Sequence, residues 1–164
     1  MIIAGVDLGK SKAAFSMFEV IDGEAELAHV DALELGRTLP RTQSLAFLSH
    51  WVAKNTRTAE HVYVEEAIIG RSTRNSLHVA QTVGAVLASM QQKYVYEVPV
   101  STWKKEVVGR GNADKSTVSA WLDETYPAYA SLCRGNQDAI DAVCLGLYGV
   151  ANEQRAGKLV DDLR

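Results

Sequence analysis

Ile2-Ile3-Ala4-Gly5-Val6-Asp7-Leu8-Gly9 opens the chain with an almost unbroken apolar run that carries one acid close to its end. A run this short and apolar suits a central strand covered on both faces, because a strand with one wet face alternates instead. Working outward, Ala13–Ile21 reads as a second strand, and Asp22-Gly23 is a tight-turn dipeptide leading into a third around Ala25–Val30. After Pro40, residues Leu45, Leu48, Trp51 and Val52 recur at helical spacing. His61–Glu65 alternates Val62 and Val64 against Tyr63 and Glu65, the pattern of a short strand. Asn75–Gln92 is a helix with Leu77, Ala80, Gly84, Leu87 and Met90 near one face, and Tyr94–Val98 is a strand stopped by Pro99. Helices follow at Thr102–Val108 and Ala113–Thr125, then a loop from Tyr126-Pro127, then a last helix capped by Asn136 and running to about Asn152. Hairpins followed by helical crossovers imply an α/β domain with a mixed sheet, part antiparallel meander and part parallel. Residues 1–152 are expected to form that domain, and residues 153–164 a polar tail, frayed or lightly packed.

The chain has 164 residues, 47% hydrophobic and 23% charged, which suits one domain with a sizeable core. No apolar run is long enough to span a bilayer, so no membrane association is expected. The strand begins at once with no basic leader, and Cys133 and Cys144 form neither a CxxC pair nor a disulfide framework. A reducing, cytoplasmic setting is expected. The net charge of −3 is unlike that of a DNA-binding protein, but its distribution is uneven. Residues 67–118 carry seven Lys/Arg (Arg71, Arg74, Lys93, Lys104, Lys105, Arg110, Lys115) against three acids, whereas 1–66 carry six against ten and 119–164 four against seven.

Four acids stand out by position. Asp7 lies near the end of a buried strand, where a carboxylate is expensive to ionise unless something positive meets it. Glu65 ends another strand, followed by Glu66. Asp138 and Asp141 are three residues apart and so share a helix face. Each acid alone has an ordinary explanation: a turn cap for Asp7, a surface acid at a strand exit for Glu65 or Glu66, the helix macrodipole for the pair. The apolar Ala139, Ile140, Ala142 and Val143 press that helix start toward the core, however, and acids at two strand ends facing it can converge in one pocket. Such an all-oxygen set suits a hard cation, magnesium or manganese, and the scattered His29, His50, His61 and His78 show no ligand spacing. Two ions about 4 Å apart can activate water against a phosphodiester, and their charge lets an acidic pocket receive a polyanion.

Gly5-Val6-Asp7-Leu8-Gly9, Val64-Glu65-Glu66, Val108-Gly109-Arg110-Gly111-Asn112-Ala113-Asp114-Lys115-Ser116 and Asp138-Ala139-Ile140-Asp141-Ala142 together resemble, in order and spacing, the RuvC family of Holliday-junction resolvases. The Gly-x-Gly-x-Ala-Asp-Lys-Ser stretch ahead of the Asp-Ala pair is the specific part, and the resemblance extends from about residue 2 to residue 150. It implies an RNase H-like fold with a five-stranded mixed sheet flanked by helices. The implied activity is that of a crossover junction endodeoxyribonuclease, hydrolysing phosphodiesters with metal-activated water in DNA recombination and repair. The implied site has Asp7, Glu65, Asp138 and Asp141 as catalytic acids and metal ligands, with Lys115 also catalytic. Glu65 is preferred over Glu66 because the family's glutamate follows an apolar residue. Two Mg2+ ions per site are implied, with Mn2+ substituting, and no nucleotide cofactor.

Lys104, Lys105, Arg110 and Lys115 would contact DNA phosphates, and Ile68, Arg71 and Arg74 the strands near the branch point. The implied partners are a four-way junction and a second copy of the chain, meeting through the helix with Ala80, Gly84, Ala85 and Ala88; packing of those residues onto their own sheet is the alternative. Ile68 stands where the familiar bacterial members carry an aromatic, which forgoes stacking worth roughly 1–3 kcal/mol per base. With no strongly basic tail, this suggests relaxed selectivity for branched DNA, as in phage-type members, and a bacterial or host cytoplasm. Trp51, Trp103 and Trp121 read as packing residues, with Trp103 a candidate DNA contact. The other readings are a non-catalytic branched-DNA-binding or assembly protein on the same fold, a ribonuclease H-type nuclease, and an actin-like ATPase suggested by the Asp7-Leu8-Gly9 strand end.

Overall fold

A strand apolar on both sides needs a helical layer on each, and the chain provides both. The computed structural model describes residues 1–36, 38–67, 70, 72–90 and 94–161. In order these form β1 (Ile2–Leu8), β2 (Lys12–Ile21), β3 (Glu24–Glu34), α1 (Arg41–Asn55), β4 (His61–Glu65), α2 (Thr73–Ser89), β5 (Tyr94–Val98), α3 (Val100–Val107), α4 (Lys115–Thr125), α5 (Pro127–Cys133) and α6 (Gln137–Asp161). The strands make one mixed five-stranded sheet, ordered β3-β2-β1-β4-β5, with β1 central. β1–β2 and β2–β3 pair antiparallel, β1–β4 and β4–β5 parallel. Asp22 and Gly23, both at positive φ (51° and 83°), make the hairpin turn between β2 and β3.

The two-residue period of β1 divides the core. Ala4, Val6 and Leu8 face α1 and α2, packing with Leu48, Val52, Val83, Val86 and Met90. Ile3 faces the other way, with Tyr63 of β4, against Val143 and Cys144 of α6 and Trp103 of α3. Gly5 lies on that second face, and a Cβ there would stand 2.2 Å from the Ala142 carbonyl oxygen and 2.3 Å from the Gly146 nitrogen. The missing side chain lets α6 rest on the β1 backbone, where the buried Ser16 hydroxyl donates to the Ala142 carbonyl at 2.7 Å.

Three elements depart from the sequence reading by more than three residues. β3 continues past Val30 to Glu34, because its pairing with β2 runs on to Lys12 opposite Glu34. The expected loop at Tyr126-Pro127 is the start of α5, with proline in the first turn, where it lacks only an amide that has no helical partner anyway. Beyond Asn152, α6 continues to Asp161, and its polar residues have distant partners. Glu153 accepts from the Tyr63 hydroxyl at 2.6 Å and pairs with His61 at 2.9 Å. Gln154 donates to the Gly23 carbonyl, and Arg155 pairs with Glu106. Among the described residues no helix is long and apolar enough to cross a membrane.

Candidate active site

Asp7 shares the β1 face of Ile3 and Gly5, so its carboxylate looks toward α6. In β4 the same alternation places Glu65 with Tyr63 on that face. The parallel register, Gly5 beside Tyr63 and Val6 beside Val64, brings both acids to matching ends of neighbouring strands. α6 completes the site because its seat on Gly5 carries its first turn to the end of β1. The Asn136 side-chain oxygen caps that turn, accepting from the Asp138 and Ala139 amides at 2.9 and 3.1 Å.

The acids feel one another. Burial holds the Asp7 carboxyl well above the usual aspartate range; the charges of Glu65, Asp141 and Asp138 raise it further, and Lys12 opposes them. Burial likewise raises Glu65, tempered by a hydrogen bond from Trp103 and by Lys104 and Lys115, with Asp141 pushing upward. Asp141 is raised by burial and relieved by a hydrogen bond from Gln137, then by Lys115 and Lys104. Acids from β1, β4 and α6 are therefore electrostatic neighbours, within the influence of Lys104 and Lys115.

Specific contacts orient these groups. Trp103 Nε1 donates to Glu65 Oε2 at 3.1 Å from a fully buried ring. Gln137 Nε2 donates to Asp141 Oδ1 at 2.9 Å, and its own amide oxygen accepts from Ser119. Lys104 Nζ donates to the Ala113 carbonyl at 2.7 Å and lies 5.5 Å from the Trp103 ring centroid. Lys12 Nζ approaches Asp138 Oδ1 to 2.5 Å. Arg41 donates to the carbonyls of Lys10 and His78 and to the Thr82 hydroxyl, tying the loop after Asp7 to α2.

Glu66 is exposed, its amide donating to the Val98 carbonyl, so Glu65 is the glutamate that turns into the cluster. Lys105 and Arg110 are exposed near Lys104 and Lys115 in sequence, and Arg74 is exposed in the first turn of α2. Ile68 and Arg71 lie outside the described residues. Among the described residues no three His, Cys, Asp or Glu side chains already stand close enough to hold an ion. The donor set nevertheless suits a hard divalent cation: oxygens only, desolvated, and mutually repelling until a positive charge arrives.

Comparison with known proteins gives the chain a family. The family model described as crossover junction endodeoxyribonuclease RuvC matches residues 3–147. The chain belongs to the RuvC family. A RuvC of Xanthomonas oryzae pv. oryzae is 26% identical over 122 residues, covering 71% of this chain and 70% of the relative. For a Chlamydia trachomatis serovar L2 RuvC the figures are 28% over 88 residues, about half of each protein at 52%. Thermus thermophilus RuvC, solved in complex with a Holliday junction substrate, superposes with a TM-score of 0.75 at 22% identity, over 90% of this chain and 91% of that one. The shared fold is RNase H-like, with which the mixed five-stranded sheet agrees, and membership makes the chain a crossover junction endodeoxyribonuclease by class.

At this candidate site, sequence reasoning missed Lys12 and Gln137 and took Trp103 for packing or a DNA contact. Gln137 could have been found, since it precedes Asp141 by one helical turn. Lys12 carries no comparable signal, because its partner lies 126 residues away.

Proposed function

We propose that Asp7, Glu65, Asp138 and Asp141 form one cation-holding catalytic cluster that hydrolyses phosphodiesters at four-way junctions and other branched DNA. The observation that carries this reading is that Asp7 and Glu65 stand at matching ends of neighbouring parallel strands, beside the start of α6 that bears Asp138 and Asp141. When bound, two Mg2+ ions, or Mn2+ in their place, polarise the phosphoryl group and make water a nucleophile at neutral pH. The chain's own residues hold and aim. Gln137 and Trp103 fix one oxygen each of Asp141 and Glu65, leaving the other oxygens as donors. Lys104 and Lys115 offset the acids and receive phosphate oxygens, Lys115 from the first residue of α4. Lys105, Arg110 and Arg74, with Ile68 and Arg71, extend the contact along the DNA without reading sequence through the phosphates.

Paired nicks need two sites related by a twofold axis, which a homodimer provides. The α2 surface of Ala80, Gly84, Ala85 and Ala88 supports that pairing: Ala80, Gly84 and Ala88 are exposed, Ala85 is half-buried, and a Cβ on Gly84 would meet nothing within 4 Å. Such a substrate belongs to recombination and repair in the cytoplasm of a bacterial cell or of a phage's host. The test is cleavage of a four-way junction, a flap and a linear duplex with and without Mg2+. Mg2+-dependent nicking of the branched substrates, lost in Asp7→Asn and Asp141→Asn, is expected. Undiminished cutting in either variant overturns the reading, and junction binding with no cleavage by the parent chain points to a non-catalytic binder.

A further inference from the structure

One cation inside the acid cluster has no part in the chemistry above. Lys12 is the first residue of β2, beside Glu34 in register, and its backbone is fixed by the Gly9 amide donating to its carbonyl at 2.9 Å. Its side chain runs directly over Gly9. A Cβ on Gly9 would stand 2.6 Å from Lys12 Cγ and 3.0 Å from Cε, so glycine keeps this path open. The path ends with Nζ at 2.5 Å from Asp138 Oδ1, with the lysine side chain 38% exposed and the aspartate 19%. The lysine thus occupies an oxygen of a proposed metal ligand, while the remaining acids are not drawn into an ion-holding group.

We propose that Lys12 is a resident counter-cation that steadies the metal-free cluster through Asp138 and competes with divalent cations for that carboxylate. The inference rests on reading the four acids as a cation site. An ammonium is a compact point charge on a flexible stem, able to neutralise one acid among four without fixing a coordination geometry. A divalent ion brings twice the charge and displaces it. The half-exposed side chain can then swing outward without being trapped unpaired in the interior. Lys12 is in this sense a positioning residue: it acts on Asp138 and sets the metal concentration at which the site fills.

The probe is MnCl2 alone, titrated calorimetrically into the full chain, so that binding is read apart from cleavage. Lys12→Met should bind Mn2+ about tenfold more tightly than the parent, the order expected for removing one screened charge at contact distance. Lys12→Arg, which keeps the charge, should stay near the parent. In the Asp138→Asn background, Lys12→Met should lose most of its effect. After chelation, Lys12→Met should melt at a lower temperature than the parent, with the gap closing as Mn2+ is added. Equal or weaker Mn2+ binding by Lys12→Met, with the parent still binding, overturns the role of Lys12 and leaves the metal site standing. Absence of Mn2+ binding in parent and variants alike overturns the metal site, and the role of Lys12 with it.

Discussion

Replacing Gly5 by alanine perturbs the seat of α6 on β1, and the structure sets the size of the effect. The added methyl would stand 2.2 Å from the Ala142 carbonyl oxygen and 2.3 Å from the Gly146 nitrogen, both backbone atoms with no rotamer to yield. The helix must recede by about 1 Å to restore ordinary contact, and overpacking of this kind costs about 1–3 kcal/mol. The Ser16 hydrogen bond to the Ala142 carbonyl, 2.7 Å and buried, stretches at the same time, adding about 1 kcal/mol. Asp138 and Asp141 lie within one turn of Ala142 and travel with it. A displacement near 1 Å in groups that must meet a reacting centre lowers the rate by about 100-fold. Urea unfolding and single-turnover cleavage of a four-way junction measure the two effects. Gly157→Ala serves as the control on the same helix, since a Cβ there meets nothing within 4 Å and alanine favours the helix by up to about 1 kcal/mol. A Gly5→Ala protein as stable and as active as the parent refutes close backbone packing as the device that delivers α6 to the site.

Further outcomes follow from single contacts. Trp103→Phe removes the donor to Glu65 and part of a fully buried ring, which should lower stability by about 1–3 kcal/mol in denaturant unfolding and reduce cleavage. Asp114 caps α4, and hydrogen bonds from the Thr117 amide and the Ser116 hydroxyl pull its carboxyl down to about 2. A depressed acid stabilises the fold above its ordinary pKa of 3.8 and loses that contribution as pH falls through about 2. The melting difference between the parent and Asp114→Ala should therefore be full above about pH 4 and gone near pH 2. Burial pushes the Cys133 thiol up to about 11 and Cys144 further still. Neither should react with a thiol reagent at pH 8 in the native protein, and both should react once it is unfolded.

The parts of the fold that sequence alone revealed are those governed by short-range pattern. β1 was legible because apolar residues fill both its faces, and β4 and β5 because alternation, with Pro99 just past the end of β5, delimits them. The convergence of Asp7 and Glu65 follows from the period of two once the strands are taken as parallel neighbours. What stayed hidden depends on partners far along the chain. The polar residues that begin the end of α6 read as a solvated tail because nothing local announces the Glu153 bond to Tyr63, 90 residues away, or the Gln154 bond to Gly23, 131 away. α5 was hidden differently: proline at a helix start and proline in a loop look alike in sequence. Trp103 reads as an apolar ring, and only the folded chain shows its N–H turned to Glu65.

Manganese diffused into crystals of the chain and located by its anomalous scattering tests most directly whether the acids act as a metal centre. Ions bounded by Asp7, Glu65, Asp138 and Asp141 are the expected result. Ions lodged elsewhere on the molecule, with these four carboxylates untouched at saturating metal, contradict the catalytic role given to them.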